Sequence, residues 1–374
     1  MFSIFPEFSS IILLNVLKIS FLTFVDISGL NNSTVSNLFI NSLVISQIVL
    51  FKRSYCCIYL YFSINQAYMS AIVFPGQGSQ YLGMALDFNE HFTVSKIVFE
   101  EIEEHTKINI RKIITENQQD KINQTKYTQL AIFSASMAIY KALTNQISVD
   151  SINMKIVLGH SLGEYSALVA NNTLSLSDAA NLIKKRGELM QSAIEPNTSG
   201  MAAIIGKNAE FIEEIIKINN LKISIANDNS PMQVVISGLL NDIDIAENIL
   251  TLKGVKRYVK LNVSAAFHSE LMLSAQNKFN DEIDKISFSK SEIPIISNFD
   301  ACINYERENI IYALKKQMAN KVKWTDSIRK LEKTDVNEII EVGPGKVLSG
   351  LISRISKKFD IKSIDKITDL EKFN

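Results

Sequence analysis

One short stretch, IVLGHSLGEYSAL at residues 156–168, constrains the fold more than any other part of the sequence. An apolar run ends at Gly159, Ser161 follows two residues later, and helix-favouring residues resume after Gly163. A Gly-x-Ser-x-Gly sequence between a strand and a helix is typical of the nucleophile elbow, a sharp turn that presents a serine hydroxyl above a sheet. The stretch predicts an α/β fold in which Ser161 is a nucleophile; the alternative is an ordinary turn with a capping serine.

The rest of the chain from Met69 also predicts an α/β fold, because short apolar runs alternate with helical periodicities as in a helix-covered parallel sheet. We assign residues 69–199 and 265–374 to one large α/β domain. Residues 200–264 follow a different order, strand-helix-strand-strand-helix-strand, which is the ferredoxin-like pattern. We therefore expect a small ferredoxin-like subdomain inserted into the large domain.

The first 68 residues differ in composition from the rest and contain only five charged residues. Their apolar runs are residues 11–25, interrupted by Asn15 and Lys18, and residues 38–51, which are too few to span a bilayer comfortably. Neither run is typical of a transmembrane helix, and the start of the chain carries no basic residue of the kind that begins a secretory signal. We expect residues 1–68 to be an extension outside the catalytic fold, with a targeting leader or a membrane anchor as alternatives.

Charge and cysteine content exclude several classes of protein. The chain has 39 basic and 39 acidic residues, so its net charge gives no attraction to nucleic acid or to an anionic membrane. Three cysteines without metal-ligand spacing argue against a disulfide framework and against a zinc site. We expect a reducing compartment, the cytoplasm, or an organelle if residues 1–68 are a targeting leader.

A serine nucleophile needs a base, and the chain contains four histidines. His91 and His105 lie in a charged helical stretch that favours solvated side chains. His160 adjoins Ser161, but neighbouring side chains on a tight turn point apart. His268 lies where a predicted strand gives way to a helix, a position from which catalytic groups reach over a sheet, so we choose it as the base. The alternative for His268 is a buried structural histidine or a helix cap.

The glycine-rich stretch GQGSQYLG at residues 76–83 follows the first predicted strand. Tyr81 replaces a glycine that a dinucleotide-binding fingerprint requires, and Met84 and Ala85 stand where a P-loop needs lysine and then serine or threonine. In an elbow enzyme, a loop from another strand supplies a backbone N–H to the oxyanion hole. Gln77 suits that role, and a purely structural turn is the alternative.

Arg186 lies on the inward face of a predicted helix, on the same stripe as Ala179, Leu182, Ile183 and Met190. A charge in that position needs a partner. A substrate carboxylate could supply one through a bidentate hydrogen bond. A buried ion pair within the protein, or a side chain that extends to solvent, would be the structural explanation.

Six segments, FPGQGSQYLGM, GHSLGEYSAL, KRGELMQ, NDNSPMQVVISG, AAFHSELM and EVGPGKVLSGLI, together resemble the malonyl-CoA:acyl carrier protein transacylase family in sequence and in order. The resemblance covers the chain from Met69 almost to its end. It implies an α/β-hydrolase-like large domain with a ferredoxin-like insertion. It also implies that Ser161 is the nucleophile and His268 its base, and that the backbone N–H groups of Gln77 and Leu162 form the oxyanion hole.

The same resemblance gives Arg186 the role of binding the free carboxylate of the malonyl group. It implies that the main-chain carbonyl of Gln317 orients the catalytic histidine in place of an acidic residue. Lys321 departs from the family pattern, which often has proline at that position. The implied reaction is a two-step acyl transfer that uses malonyl-CoA and an acyl carrier protein and requires no metal or other cofactor. Because acyl carrier proteins are acidic, a local basic patch is expected, with Lys184 and Lys185 as candidates.

Three other interpretations compete with this one. A serine esterase or thioesterase of the elbow type would need an acidic residue on the histidine and gives no reason for an inward arginine. A non-catalytic scaffold would be favoured by the loss of Ser161 or His268, and both are present. An acyltransferase domain of a polyketide synthase is expected to have flanking synthase domains.

Overall fold

Two β-sheets organise the part of the chain that the computed structural model describes, which is residues 68–116, 118–147 and 152–373. The expectations for residues 1–67 lie outside this part. The strands in chain order are β1 (Ser70–Phe74), β2 (Met154–Gly159), β3 (Ser199–Ile205), β4 (Ile223–Ser230), β5 (Gln233–Leu239), β6 (Arg257–Lys260), β7 (Ile295–Ile296), β8 (Ile303–Asn304), β9 (Glu338–Val342) and β10 (Asp360–Ile364).

Helices cover both sheets. The α-helices in chain order are α1 (Leu86–His91), α2 (Thr93–Thr106), α3 (Ile110–Glu116), α4 (Thr125–Gln146), α5 (Gly163–Ala170), α6 (Leu176–Ser192), α7 (Ala209–Ile218), α8 (Leu240–Leu252), α9 (Leu273–Ile283), α10 (Arg307–Gln317), α11 (Trp324–Glu332) and α12 (Val347–Ile355). Short 3₁₀ helices cover Gln118–Asn123, Glu270–Met272 and Ile367–Phe373. Among the described residues, no helix has both the length and the apolar character needed to cross a membrane.

The large sheet has the strand order β10-β9-β1-β2-β7-β8. Its strands pair in parallel except for β8, which runs antiparallel to β7 at the edge. Side chains of β1 alternate between its two faces: Ile72 and Phe74 belong to one apolar core, and Ala71 and Val73 belong to another. A parallel sheet buried on both faces is expected when helices connect its strands. This arrangement confirms the predicted fold class.

The small sheet has the order β4-β5-β3-β6 and is antiparallel throughout. Its strands and the helices α7 and α8 follow the predicted strand-helix-strand-strand-helix-strand order. Ile204 of β3, Ile212 of α7 and Ile236 of β5 are buried together in a separate core. The subdomain limits at residues 200 and 264 stay a prediction.

Two element boundaries have clear local causes. The strand β4 continues to Ser230 because Asp228 pairs with Val234 of β5 and its N–H donates to Val322 O at 3.0 Å. The helix α6 begins at Leu176 because the Ser175 hydroxyl accepts the Asp178 N–H at 3.0 Å and caps it.

Candidate active site

The register of the large sheet brings three loops to one place. Phe74 at the end of β1 pairs with Gly159 at the end of β2, and β7 lies on the other side of β2. Because these strands are parallel, the loops that follow them emerge at the same carboxyl edge, where α/β proteins bind ligands. Those loops carry Gln77, Ser161 and Asn298.

The turn at Ser161 has the geometry of a nucleophile elbow. Ser161 has φ 52°, in the left-handed region that non-glycine residues rarely adopt. A Cβ at Gly159 would lie 1.9 Å from the carbonyl carbon of Gly163, and one at Gly163 would lie 2.1 Å from Phe74 O. Both glycines are therefore required for the close approach of strand and helix. The predicted strand-turn-helix context of Ser161 is present.

We predict that Gly163→Ala prevents stable folding, because no flexible side chain can move aside to relieve a backbone clash of this size. Overpacking of a core alone costs about 1–3 kcal/mol, and backbone contacts near 2 Å exceed that case. Gly350→Ala in α12 is the matched control, since a Cβ there meets nothing within 4 Å. That control should keep or slightly raise the melting temperature in thermal unfolding by circular dichroism. A Gly163→Ala protein as stable as the parent would contradict the elbow geometry.

Asn298 holds the elbow from both sides and was missed by sequence reasoning. Its Oδ1 accepts the Ser161 N–H at 2.6 Å, and its Nδ2 donates to Gly159 O at 2.6 Å. The residue is buried at the carboxyl end of β7. One amide thus ties the backbone before and after the turn, which stabilises the strained conformation of Ser161.

His268 lies where a base for Ser161 must lie. Its Nε2 is 2.8 Å from Ser161 Oγ, and its Nδ1 is 3.0 Å from Gln317 O and 3.2 Å from Asn320 O. Carbonyl oxygens only accept, so Nδ1 carries the proton and Nε2 is left as the acceptor for the serine hydroxyl. Burial, followed by the positive charge of Arg186, lowers the pKa of His268 to about 3. The imidazole is therefore neutral at pH 7, which is the state of a base.

Arg186 is completely buried in α6 and points at the nucleophile. Its Nη2 donates to Ser161 Oγ at 3.0 Å and to Gln317 Oε1 at 2.9 Å, and its Nη1 donates to Gln129 Oε1 at 2.6 Å. Its buried Nε has no hydrogen-bond partner within the described chain. The arginine is thus held by neutral oxygens, and the buried ion pair considered from the sequence is not present among residues 68–116, 118–147 and 152–373.

Gln317 uses both its backbone and its side chain at this site. Its main-chain oxygen faces His268, as the resemblance implied. Its Nε2 donates to Ser161 O at 2.8 Å and to Glu164 Oε2 at 2.7 Å. Lys321 forms an exposed ion pair with Glu213 at 2.8 Å, and its departure from the family pattern leaves the Gln317–His268 contact in place.

Two backbone N–H groups near Ser161 are unoccupied. Gln77 follows β1 and Leu162 follows the serine at the amino end of α5, and both line the cleft in front of Ser161. Neither N–H has an acceptor within the described chain, although the Gln77 side chain donates to Thr125 Oγ1 at 3.3 Å. Both donors are therefore free to form an oxyanion hole, which stays a prediction.

The cleft has a volume of about 320 Å³ and lies between the carboxyl edge of the large sheet and one face of the small sheet. His160 belongs to its wall: its Nε2 is 2.8 Å from Asn229 Oδ1, and its ring packs edge-on against Trp324 with 5.5 Å between centroids. The apolar lining residues are Leu162, Met190, Met201, Ala203, Val235, Leu261, Val263 and Phe267. His160 is thus committed to packing, as the argument from the turn predicted, and His268 alone faces the serine among the described histidines.

Comparisons with known proteins agree with this geometry. Residues 71–372 match the model of the acyl transferase domain family. The chain is 36% identical over 292 residues to the malonyl CoA-acyl carrier protein transacylase of Bacillus subtilis, which covers 77% of this chain and 90% of that protein.

Solved structures give the same result. A crystal structure of acyl-carrier-protein-S-malonyltransferase from Bartonella henselae superposes with a TM-score of 0.78 at 36% identity, covering 81% of this chain and 98% of that one. A type II PKS acyl-carrier protein in complex with its malonyl-transacylase matches with a TM-score of 0.77 at 34% identity, covering 81% of this chain and 97% of that one. This chain therefore belongs to the acyl transferase domain family and, within it, to the malonyl CoA-acyl carrier protein transacylases.

Proposed function

We propose that this protein transfers the malonyl group from malonyl-CoA to the phosphopantetheine thiol of an acyl carrier protein through an ester on Ser161. One observation carries the proposal: Ser161 Oγ lies 2.8 Å from His268 Nε2 and 3.0 Å from Arg186 Nη2. A nucleophile, a base and a cation thus meet at one atom. A malonyl thioester presents a carbonyl to the first two groups and, one methylene away, a carboxylate to the third.

The first step forms the malonyl ester. His268 Nε2 takes the proton of Ser161 as the hydroxyl oxygen attacks the thioester carbonyl. The negative charge that develops on the carbonyl oxygen is stabilised by the N–H groups of Gln77 and Leu162. The tetrahedral intermediate then collapses, the C–S bond breaks, and the imidazolium returns its proton to the departing coenzyme A thiolate.

The second step is the same chemistry with a different thiol. His268 takes the proton of the phosphopantetheine thiol of the carrier protein, whose sulfur attacks the malonyl ester. The C–O bond to Ser161 breaks, and the proton passes back to the serine oxygen. Two carbonyl oxygens hold the proton on Nδ1 of His268. Nε2 can therefore accept a proton at the start of each step and return it at the end.

Arg186 is suited to select malonyl over uncharged acyl groups. Its guanidinium remains protonated although burial lowers its pKa, and its Nε has a donor to spare. A carboxylate that reached Nε and displaced Ser161 Oγ from Nη2 would receive two parallel hydrogen bonds. The apolar surroundings strengthen that interaction because water does not compete for it.

The esterase alternative is less favoured. It predicted an acidic residue at His268 Nδ1, whereas two backbone carbonyls occupy that position. It also gives no role to a fully buried arginine beside the nucleophile. The direct test is to mix the enzyme with malonyl-CoA and a holo-acyl carrier protein and to measure the mass of the carrier. A gain of one malonyl group is expected, and release of free malonate without carrier loading would favour the esterase.

The carrier protein needs a basic surface near the cleft, and Lys184 and Lys185 are only partly exposed. Lys184 Nζ donates to Thr106 O at 3.0 Å, so its ammonium group is already engaged. Two other cations, Lys256 and Arg257, are exposed around a second cleft of about 390 Å³, and Arg354, whose Nη1 donates to Gln233 Oε1 at 3.0 Å, lines it too. Gln233 lines both clefts. We place the acidic carrier at this second cleft, from which its prosthetic arm enters the first.

We predict that Arg257→Glu lowers kcat/KM for the carrier by about tenfold or more, because a cation in the docking surface becomes a like charge for an acidic partner. Lys185→Glu, which makes the same charge reversal on α6, should change kcat/KM for the carrier little. Acylation of Ser161 should be measured with a malonyl thioester that lacks phosphate, so that coenzyme A binding does not enter. Equal losses of carrier transfer in the two variants would contradict this docking site.

We propose fatty acid synthesis as the process supplied, with polyketide synthesis as the alternative. We propose the cytoplasm as the location, or an organelle if residues 1–68 are a targeting leader.

A further inference from the structure

The buried charge of Arg186 has no directly bonded counter-ion. Its hydrogen-bond partners are the hydroxyl of Ser161 and the side-chain oxygens of Gln129 and Gln317, all neutral. A buried guanidinium without compensation is unfavourable, because a charge moved from water to a protein interior loses its solvation. Some group must therefore balance this charge before the substrate arrives.

Glu164 is the buried acid of the site, and the reaction does not use it. It lies on the first turn of α5, three residues after the nucleophile, and is 1% exposed. Its Oε2 accepts from Gln317 Nε2 at 2.7 Å and from Asn298 N at 3.3 Å. These two donors favour the ionised carboxylate, whereas burial favours the neutral acid.

The Gln317 side-chain amide joins this acid to Arg186. Its oxygen accepts from Arg186 Nη2, and its nitrogen donates to Glu164 Oε2. Reversal of the amide would set donor against donor at the arginine and acceptor against acceptor at the glutamate. The cation at one end and the anion at the other therefore both favour the observed orientation.

We propose that Glu164 is the counter-charge of Arg186 in the unloaded enzyme, and that it determines specificity by competing with the malonyl carboxylate for that arginine. This inference rests on the proposed malonyl transfer. When Glu164 is ionised, it partly neutralises Arg186 and weakens the attraction for malonyl. When Glu164 is protonated, the charge of Arg186 is available to the substrate. Binding of an acetyl group, which carries no charge, does not depend on the ionisation of Glu164.

Few ionisable groups act on Glu164. Arg186 of α6 is joined to it through the Gln317 amide, Tyr165 is its neighbour on α5, and Asp300 lies in the loop after β7. The strand β2, which also packs against α5, adds little charge near Glu164, because its Lys155 is exposed.

The remaining groups are also committed elsewhere. Tyr140 of α4 donates to Ala170 O at the far end of α5. His160 and His268, which flank the cleft, are both held neutral because burial lowers their pKa values. Burial of Glu164, opposed by the hydrogen bond from Gln317, raises its pKa to about 7.

The sign of the pH effect follows from these charges. Malonyl bound at Arg186 disfavours a second negative charge nearby, so it raises the pKa of Glu164 and loading takes up protons. By linkage, ionisation of Glu164 lowers the affinity for malonyl by the same factor. A shift of one unit corresponds to a tenfold change. With a one-unit shift from about 7, the preference for malonyl over acetyl should therefore fall by roughly fivefold between about pH 6 and pH 8 and approach tenfold above that range.

A competition experiment measures this preference directly. The enzyme is mixed with malonyl-CoA and excess acetyl-CoA at about pH 6, 7 and 8, and the two acyl forms of Ser161 are counted at early times by intact-mass spectrometry. Their ratio reports the ratio of kcat/KM values. Titration of coenzyme A phosphates or of the catalytic histidine cancels, because it affects both substrates.

The variant Glu164→Gln keeps the size of the side chain and an acceptor for Gln317 but loses the charge. Its malonyl-to-acetyl ratio should be independent of pH and equal to that of the parent at low pH. The matched control is Glu341→Gln, because Glu341 is equally buried but caps α12 through the N–H groups of Leu348 and Ser349. The malonyl-to-acetyl ratio of that control should change with pH as it does in the parent.

A second measurement keeps the inference testable if Glu164→Gln does not fold. Transfer of an acyl group from coenzyme A to serine neither releases nor consumes a proton near pH 7. A pH indicator should therefore show proton uptake when the parent is loaded with malonyl-CoA, and none with acetyl-CoA. Two results in the parent would overturn the role of Glu164: a malonyl-to-acetyl ratio that does not change with pH, or the same proton uptake with malonyl-CoA and with acetyl-CoA. A malonyl-to-acetyl ratio that still falls with pH in Glu164→Gln would overturn it too. Absence of malonyl on Ser161 at every pH would instead overturn the proposed function.

Discussion

The variant His268→Ala should acylate Ser161 with malonyl-CoA about 10²–10⁴-fold more slowly than the parent, because a positioned general base contributes roughly that factor. The loss arises because no other described imidazole reaches the hydroxyl: His268 Nε2 is 2.8 Å from Ser161 Oγ, and His160 is hydrogen-bonded to Asn229. Stopped-flow or rapid-quench detection of the acyl-enzyme measures the rate. Circular dichroism should show an intact fold.

The control for this prediction is His160→Ala. It should lower the rate less, and its main effect should be a loss of stability, since the His160 ring packs against Trp324 and the side chain binds Asn229 across the cleft. Equal losses of acylation rate in two folded variants, or the larger loss in His160→Ala, would mean that the base is wrongly assigned.

The variant Arg186→Ala should lose malonyl transfer by about 30- to several thousand-fold. Removal of the guanidinium leaves a malonyl carboxylate buried without a partner, which costs roughly 2–5 kcal/mol. At about 1.4 kcal/mol per decade, this energy gives the stated range. Acetyl-CoA has no such carboxylate, so its transfer should change little, and the preference for malonyl should collapse or invert.

Both substrates are compared on the parent and on Arg186→Ala under the same conditions. Arg186→Lys is a useful second variant: it keeps the positive charge but replaces a planar group of five donors with a single ammonium. It should recover part of the malonyl activity. A folded Arg186→Ala enzyme that loses malonyl and acetyl transfer in equal proportion would show that Arg186 supports the structure and does not select the substrate.

The parts of the fold and the site that could be predicted from the sequence are those with local signals. The Gly-x-Ser-x-Gly stretch lies between a strand and a helix, so the position of Ser161 follows from a few neighbouring residues. The inward face of Arg186 follows from the helical period of α6. The strand-helix order of the small sheet follows from patterns within about 65 residues of chain.

The parts that could not be predicted depend on contacts between distant residues. Asn298 holds Ser161 across 137 residues of sequence, and Glu164 binds Gln317 across 153. No local pattern marks either residue, because an asparagine after a strand and a glutamate at the start of a helix are both common in surface positions. Their roles depend on the register of β2 with β7 and on the packing of α10. The hydrogen bond of Lys184 could not be predicted for the same reason, since its acceptor, Thr106 O, lies on α2.

The central claim is that a malonyl group passes through Ser161, and intact-mass spectrometry of the enzyme tests it most directly. The protein is mixed with malonyl-CoA, quenched in acid and weighed, and the modified peptide is located by fragmentation. We predict a gain of one malonyl group on Ser161, its absence in Ser161→Ala, and its removal when a holo-acyl carrier protein is added before the quench. An enzyme that malonylates the carrier without ever carrying the group itself, or that carries it on another residue, would contradict the account.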